Sequence, residues 1–163
     1  VRDLRPGHHG ELPLDPDVGV DDPLGPGTPP SPRVPYRDPR ALLLVFLGGT
    51  LGTGSREALS LALPPVDGVA WTIVAVNVLG AFALGLLLES LARLGPDHGR
   101  NRALRLLLGT GFMGGFTTYS TLATGTAVLL GDGRLGPALL FGLGTVLVGG
   151  AATWLGIAAG GRR

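Results

Sequence analysis

Residues 111–121, GFMGGFTTYST, decide how the rest of the chain is read. They lie inside a long apolar run, where lipid favours an unbroken helix. Yet glycines and hydroxyl-bearing residues stand side by side in them. Glycine costs about 1 kcal/mol relative to alanine in a helix interior. Threonine is stiff at χ1 and can turn its hydroxyl onto the preceding turn. Gly114-Gly115 followed by Thr117-Thr118 is therefore a poor run for a continuous helix. A break at membrane depth frees carbonyl oxygens and amide hydrogens, which protein, water or an ion must satisfy. Many transporters hold ions at such breaks, with carbonyls facing cations and amide ends facing anions. Phe112, Phe116 and Tyr119 add electropositive ring edges, and Tyr119, Ser120 and Thr121 add hydroxyl donors. These residues predict an ion-binding helix break without naming the ion.

Working outward, four apolar segments follow one another: residues 41–63, 68–88, 106–131 and 135–161. A spanning helix needs about 20 mostly apolar residues, and all four segments qualify. PPVD joins the first pair and DGR the last, while the middle connection, ESLARLGPDHGRNRALR, reads as a polar, arginine-rich loop. The expected fold is an all-α membrane protein of four transmembrane helices. The third is broken at mid-membrane, and both termini lie on one side.

Residues 1–40 differ in kind. They hold ten of the fourteen prolines and seven of the twelve acids. Such a segment cannot bury enough apolar surface to offset its ordering entropy, so a disordered tail is expected before a membrane domain at 41–161. It has no apolar core of signal-peptide length. His8-His9 falls in this tail and reads as solvated, with no third ligand nearby. A net charge of +1 gives no basic field for nucleic acid, and none is expected as a partner. The lack of cysteine excludes disulfides and thiolate metal sites.

Gly48/Gly52, Ala81/Gly85 and Gly149/Thr153 each place small residues four apart, which lets helix backbones approach closely in lipid. Four helices offer too little bulk to enclose a wide pore, so a pathway is expected at or beside an oligomer interface. Asn77 lies near the middle of the second segment, and its amide serves either a helix contact or an ion path. Thr145 can satisfy its hydroxyl on its own helix. Arg56 and Glu57 are adjacent and so point different ways. Arg56 reads either as an interfacial or structural residue or as a charge at the mouth of a pathway.

GFMGGFTTYST resembles the third-helix signature of the Fluc/CrcB fluoride channels, G-F-x-G-G-F/L-T-T-F-S-T-F. GGTLGTGSREAL is similar to that family's G-G-x-x-G-x-x-x-R pattern, ending at Arg56. WTIVAVNVLGAFALGLL is similar to its G-T-L-x-x-N-x-x-G-x-F-x-x-G segment, giving Asn77, Gly80 and Gly85. The resemblance implies an antiparallel dimer of four-helix subunits with two ion pathways along the interface. It implies a structural, untransported sodium ion at the centre, held by backbone carbonyls that would be those of Gly114 and Thr117 here. It implies a fluoride path along Asn77, Tyr119, Ser120, Thr121 and Leu122. Fluoride trapped in the cytoplasm would leak out passively through this path, with no enzymatic step. Tyr119 and Leu122 stand where the signature has phenylalanine, and Phe141 and Thr145 where many members carry polar residues.

Charge placement adds an orientation. Arg33, Arg37, Arg40, Arg93, Arg100, Arg102, Arg105, Arg162 and Arg163 fall on the side of the termini, against Arg56 and Arg134 on the other. This bias predicts insertion in the plasma membrane with both termini cytoplasmic. An antiparallel homodimer needs both orientations, so the bias points to a heterodimer with a homologue of opposite orientation. Two other functions fit four small helices. A proton-coupled exporter would need an embedded carboxylate, for which Glu57 is the candidate. A non-conducting partner subunit would keep the glycine packing alone.

Overall fold

The computed structural model describes residues 38–162. Nearly all of the expected tail, His8-His9, Arg33, Arg37 and Arg163 lie outside the described residues. Helix α1 spans Pro39–Ala62. The Asp38 carboxylate accepts the Arg40 amide at 3.0 Å, and Pro39 occupies the first turn, where no amide hydrogen is needed. Helix α2 spans Trp71–Leu94. Between them Val66 and Val69 exchange backbone hydrogen bonds across Asp67-Gly68, whose φ angles are 51° and 75°. Arg134 locks this turn from afar by donating to the Asp67 carbonyl at 2.7 Å.

The third span comes in two pieces. Helix α3 covers residues 99–116. It is α-helical over Gly99–Leu104, π-helical over Arg105–Met113 and α-helical again over Gly114–Phe116. Helix α4 covers Tyr119–Gly131. Helix α5 runs over Leu135–Gly160 with a π-helical turn at Leu140–Gly144. Among the described residues there is no strand beyond the single Val66–Val69 bridge. Two helices, Trp71–Leu94 and Leu135–Gly160, are long and apolar enough to cross a membrane. Helix α1 interrupts its apolar run with Arg56 and Glu57, and the third span is divided.

The middle connection differs from the sequence expectation. Residues 89–105 are not a loop: α2 continues to Leu94, α3 begins at Gly99, and only residues 95–98 join them. Polarity there marks where the helices leave the apolar layer, not where they end. Glu89 and Arg93 pair one turn apart at 2.8 Å, and Asp97 pairs with Arg105. The stop itself is made by Gly95 at φ 124°.

Because successive spans alternate in direction, α1 runs parallel to α3, and α2 to α5. Each parallel pair meets through small residues. A Cβ at Gly48 would fall 2.1 Å from the Leu107 carbonyl oxygen, and one at Gly52 2.1 Å from that of Phe112. Gly111 and Gly115 answer from α3, against Val45, Gly48 and Gly49. On the second seam, Gly85 lies against the Thr153 carbonyl and Gly156 against that of Phe82, with Gly149 over Ala81. The small-residue spacings are thus helix contacts. A compact apolar cluster of Val69, Ile73, Leu122, Leu129, Ala138 and Phe141 closes the end away from the termini. Elsewhere the helices turn large apolar side chains outward, among them Phe46, Leu79, Leu147 and Trp154.

Candidate functional site: the break between α3 and α4

The two glycines do not make the break. Gly114 and Gly115 stay helical, and the chain leaves the helix at Thr117 (φ −81°, ψ 157°) and Thr118 (φ −149°, ψ 117°). Extended conformations suit β-branched threonine. The Thr117 amide and hydroxyl both donate to the Met113 carbonyl, at 3.0 and 2.9 Å, and end α3. Thr118 starts α4 as its N-cap: its hydroxyl accepts the Thr121 amide at 3.2 Å. The same hydroxyl lies 3.2 Å from that of Ser120 and 3.1 Å from that of Thr121.

Helix α2 holds the break in place. Asn77 Nδ2 donates to the Thr118 carbonyl at 3.1 Å, and Asn77 Oδ1 accepts the Thr118 amide at 2.8 Å. One amide side chain so satisfies both backbone groups of a residue outside any helix, which would otherwise cost about 1–3 kcal/mol each when buried. Gly80, one turn along α2, makes room for the Thr117 methyl; a Cβ there would lie 2.3 Å from Thr117 Cγ2.

The carbonyls of the last turn of α3 divide into two groups. The Gly115 carbonyl finds its donors on α1: Thr53 Oγ1 and Arg56 Nε each donate to it, both at 3.4 Å. The carbonyls of Gly114, Phe116 and Thr117 accept from no donor among the described residues. Hard oxygen ligands left without donors, among them those of Gly114 and Thr117, fit a cation such as sodium. Arg56 turns inward to the break, while Glu57 is exposed, 3.9 Å from Arg56 Nη1.

An open groove of about 320 Å³ runs beside the break between α2 and α5. Asn77, Thr117, Thr118, Tyr119 and Leu122 line one wall, and Thr145, Gly149 and Thr153 the other. Tyr119 is 79% exposed and projects from the mouth. Ser120 and Thr121 are not on the groove wall; they are exposed on α4 and reach the break through the Thr118 hydroxyl. Leu122 faces the opposite way from them and also belongs to the apolar cluster. Phe141 is buried there, with its ring edge over Gly125, and Thr145 donates to the Phe141 carbonyl. Phe112 and Phe116 stack at 5.6 Å, away from the groove lining.

Sequence reasoning missed Thr53 and the Gly115 carbonyl. A signal was present: Gly111 and Gly115 repeat the spacing of Gly48 and Gly52, which marks α1 and α3 as partners.

Residues 43–157 match the family described as CrcB-like protein, Camphor Resistance (CrcB). The chain is 50% identical over 121 residues to the fluoride-specific ion channel FluC 2 of Leifsonia xyli subsp. xyli, covering 74% of this chain and 83% of that one. It is 48% identical over 132 residues to the fluoride-specific ion channel FluC 1 of Cutibacterium acnes, covering 78% and 91%. It is 39% identical over 121 residues to a fluoride-specific ion channel FluC of Thermus thermophilus, covering 73% and 94%.

Proposed function

The chain belongs to the CrcB family, and we propose that it is a subunit of a channel that lets fluoride leave the cytoplasm passively through the cell membrane. The family is one of ion channels, not enzymes. The observation that carries the reading is the break itself. Asn77 fixes Thr118 by two hydrogen bonds, and the hydroxyls of Thr118, Ser120 and Thr121 cluster at the start of α4. Fluoride is small and strongly hydrated, so a path must replace its water with donors of this kind. Tyr119, Ser120 and Thr121 supply them, with Asn77 and Leu122 on the adjoining wall. We place the break at mid-membrane, between the longer α3 and the shorter α4.

The Gly114 and Thr117 carbonyls would hold a structural sodium ion, which would supply a fixed positive charge near the path. The groove is open along one side and Tyr119 projects from its mouth, which suits completion by a second, antiparallel subunit. Among the described arginines, Arg40, Arg93, Arg100, Arg102, Arg105 and Arg162 share the end of the termini, while Arg134 lies at the other and Arg56 beside the break. This supports cytoplasmic termini and a partner homologue of reversed bias. The exporter reading needs a carboxylate on the path, and Glu57 does not line the groove.

Fluoride efflux from liposomes containing this chain alone is the test. Fluoride-selective efflux supports the channel and a homodimer. Efflux only after co-expression with an oppositely oriented homologue supports the heterodimer, with this chain conducting or serving as its partner. No fluoride efflux in either case defeats the proposal.

A further inference from the structure

We infer that Arg56 and Thr53 are positioning residues that reserve the Gly115 carbonyl, so that a cation held by the Gly114 and Thr117 carbonyls does not also meet that of Gly115. This rests on the sodium reading above and adds how the ligand set is chosen. Helix α3 ends at Phe116, so the carbonyls of its last turn lose the amides four residues on. Each must find another donor. Met113 keeps its own amide partner, Thr117, while Gly115 is served by Thr53 and Arg56. Gly114, Phe116 and Thr117 receive none among the described residues.

Helix α1 can reach Gly115 only because the backbones touch there. A Cβ at Gly115 would fall 2.4 Å from the Gly49 carbonyl oxygen and 2.9 Å from Thr53 Oγ1. Two donors converge on one oxygen at 3.4 Å each, the long end of the hydrogen-bond range, and they come from different turns of α1. The Arg56 side chain is 19% exposed, so its position is held by packing. Glu57, at 60% exposure and 3.9 Å, offsets its charge only in part. If both donors were removed, the Gly115 carbonyl would be left in an apolar layer without a partner. It would then turn to any cation nearby. Ligand number and rigidity set the choice between ions of one charge class. A third, mobile oxygen would therefore loosen the preference for sodium.

Thermal melting of the full-length chain in lipid nanodiscs, in sodium or potassium chloride at equal ionic strength, tests this without measuring flux. Wild-type protein should melt higher in sodium. The variants are Thr53→Val, Arg56→Lys and the pair. Lysine keeps the charge but has no Nε–H at the guanidinium position. The sodium concentration giving half of the stabilisation should rise by about five- to tenfold in the double variant, the weak end of what two lost hydrogen bonds give, as their length implies. The sodium-over-potassium difference should shrink with it. A brace with no part in ligand choice would lower melting equally in both salts and leave that difference intact, which would overturn the inference. Wild-type melting that is identical in the two salts would instead defeat the sodium reading itself, and this inference with it. If the double variant does not fold, Thr53→Val alone, nearly equal in shape, decides by the same difference.

Discussion

Along the α1–α3 seam a Cβ at Gly52 would fall 2.1 Å from the Phe112 carbonyl oxygen; along the α2–α5 seam one at Gly156 would fall 2.2 Å from that of Phe82. The two seams join parallel helices at the same closeness with the same small residues. They differ in what the closeness reaches. On the second seam the threonines serve their own helices, Thr153 donating to Gly149 at 3.0 Å and Thr145 to Phe141. On the first, Thr53 and Arg56 donate across the seam to a carbonyl that a helix end has released. Close packing by itself makes a scaffold. It makes a site only where it coincides with backbone groups that have lost their helical partners.

The comparison can be attacked at its shared part first. Gly52→Val and Gly156→Val should both abolish folded protein, read as the loss of a monodisperse peak in size-exclusion chromatography. Overpacking costs about 1–3 kcal/mol where side chains can shift, and here the obstacle is a backbone oxygen. A folded Gly156→Val would show that the second seam is the looser one. Next comes the clamp. Asn77→Leu leaves the Thr118 amide and carbonyl unpaired, and should lower stability by roughly 2–4 kcal/mol and fluoride flux at least about tenfold. An unchanged melting temperature would mean that the break stands without α2. Tyr119→Ile should cut flux about tenfold with no change in melting, since the ring is 79% exposed, while Tyr119→Phe keeps flux. Equal flux in Tyr119→Ile and wild type would remove the ring from the path. The smallest effect belongs to the second seam's threonines. Thr153→Val should change stability by less than about 1 kcal/mol and leave flux alone, because its hydroxyl satisfies only its own helix. A flux defect there would extend the site across the groove.

Much of the fold was legible because apolar length and small-residue spacing are local signals. The segments 41–63 and 135–161 fall within two residues of the helices that form. The break was legible too, since glycine and threonine runs oppose a helix, but of the two stated causes only the threonines hold. Gly114 and Gly115 remain helical, and the threonines carry the turn. The middle connection misled because polarity reports solvent, not helix ends: Glu89–Arg93 and Asp97–Arg105 stabilise helix ends that stand clear of the apolar layer. The site's other half was hidden for a different reason. Arg56 and Gly115 are 59 positions apart, as the Asn77–Thr118 pair is 41, and no local pattern states which distant groups will meet.

The parallel pairing also sets an order of assembly. Each helix's partner is not the next one made but the one after it. Helix α1 waits through the synthesis of α2 before α3 arrives, and α2 waits until α5, the last span, has entered the membrane. Spans that insert singly and then associate can tolerate this delay, since lipid satisfies an apolar helix while it is alone. The break cannot be finished early either. Thr118 needs Asn77 on a helix whose own mate is still to come. A chain truncated after residue 134 should therefore hold one closed seam and a loose break, read as lost hydrogen-exchange protection of the Thr118 amide that the full-length chain restores.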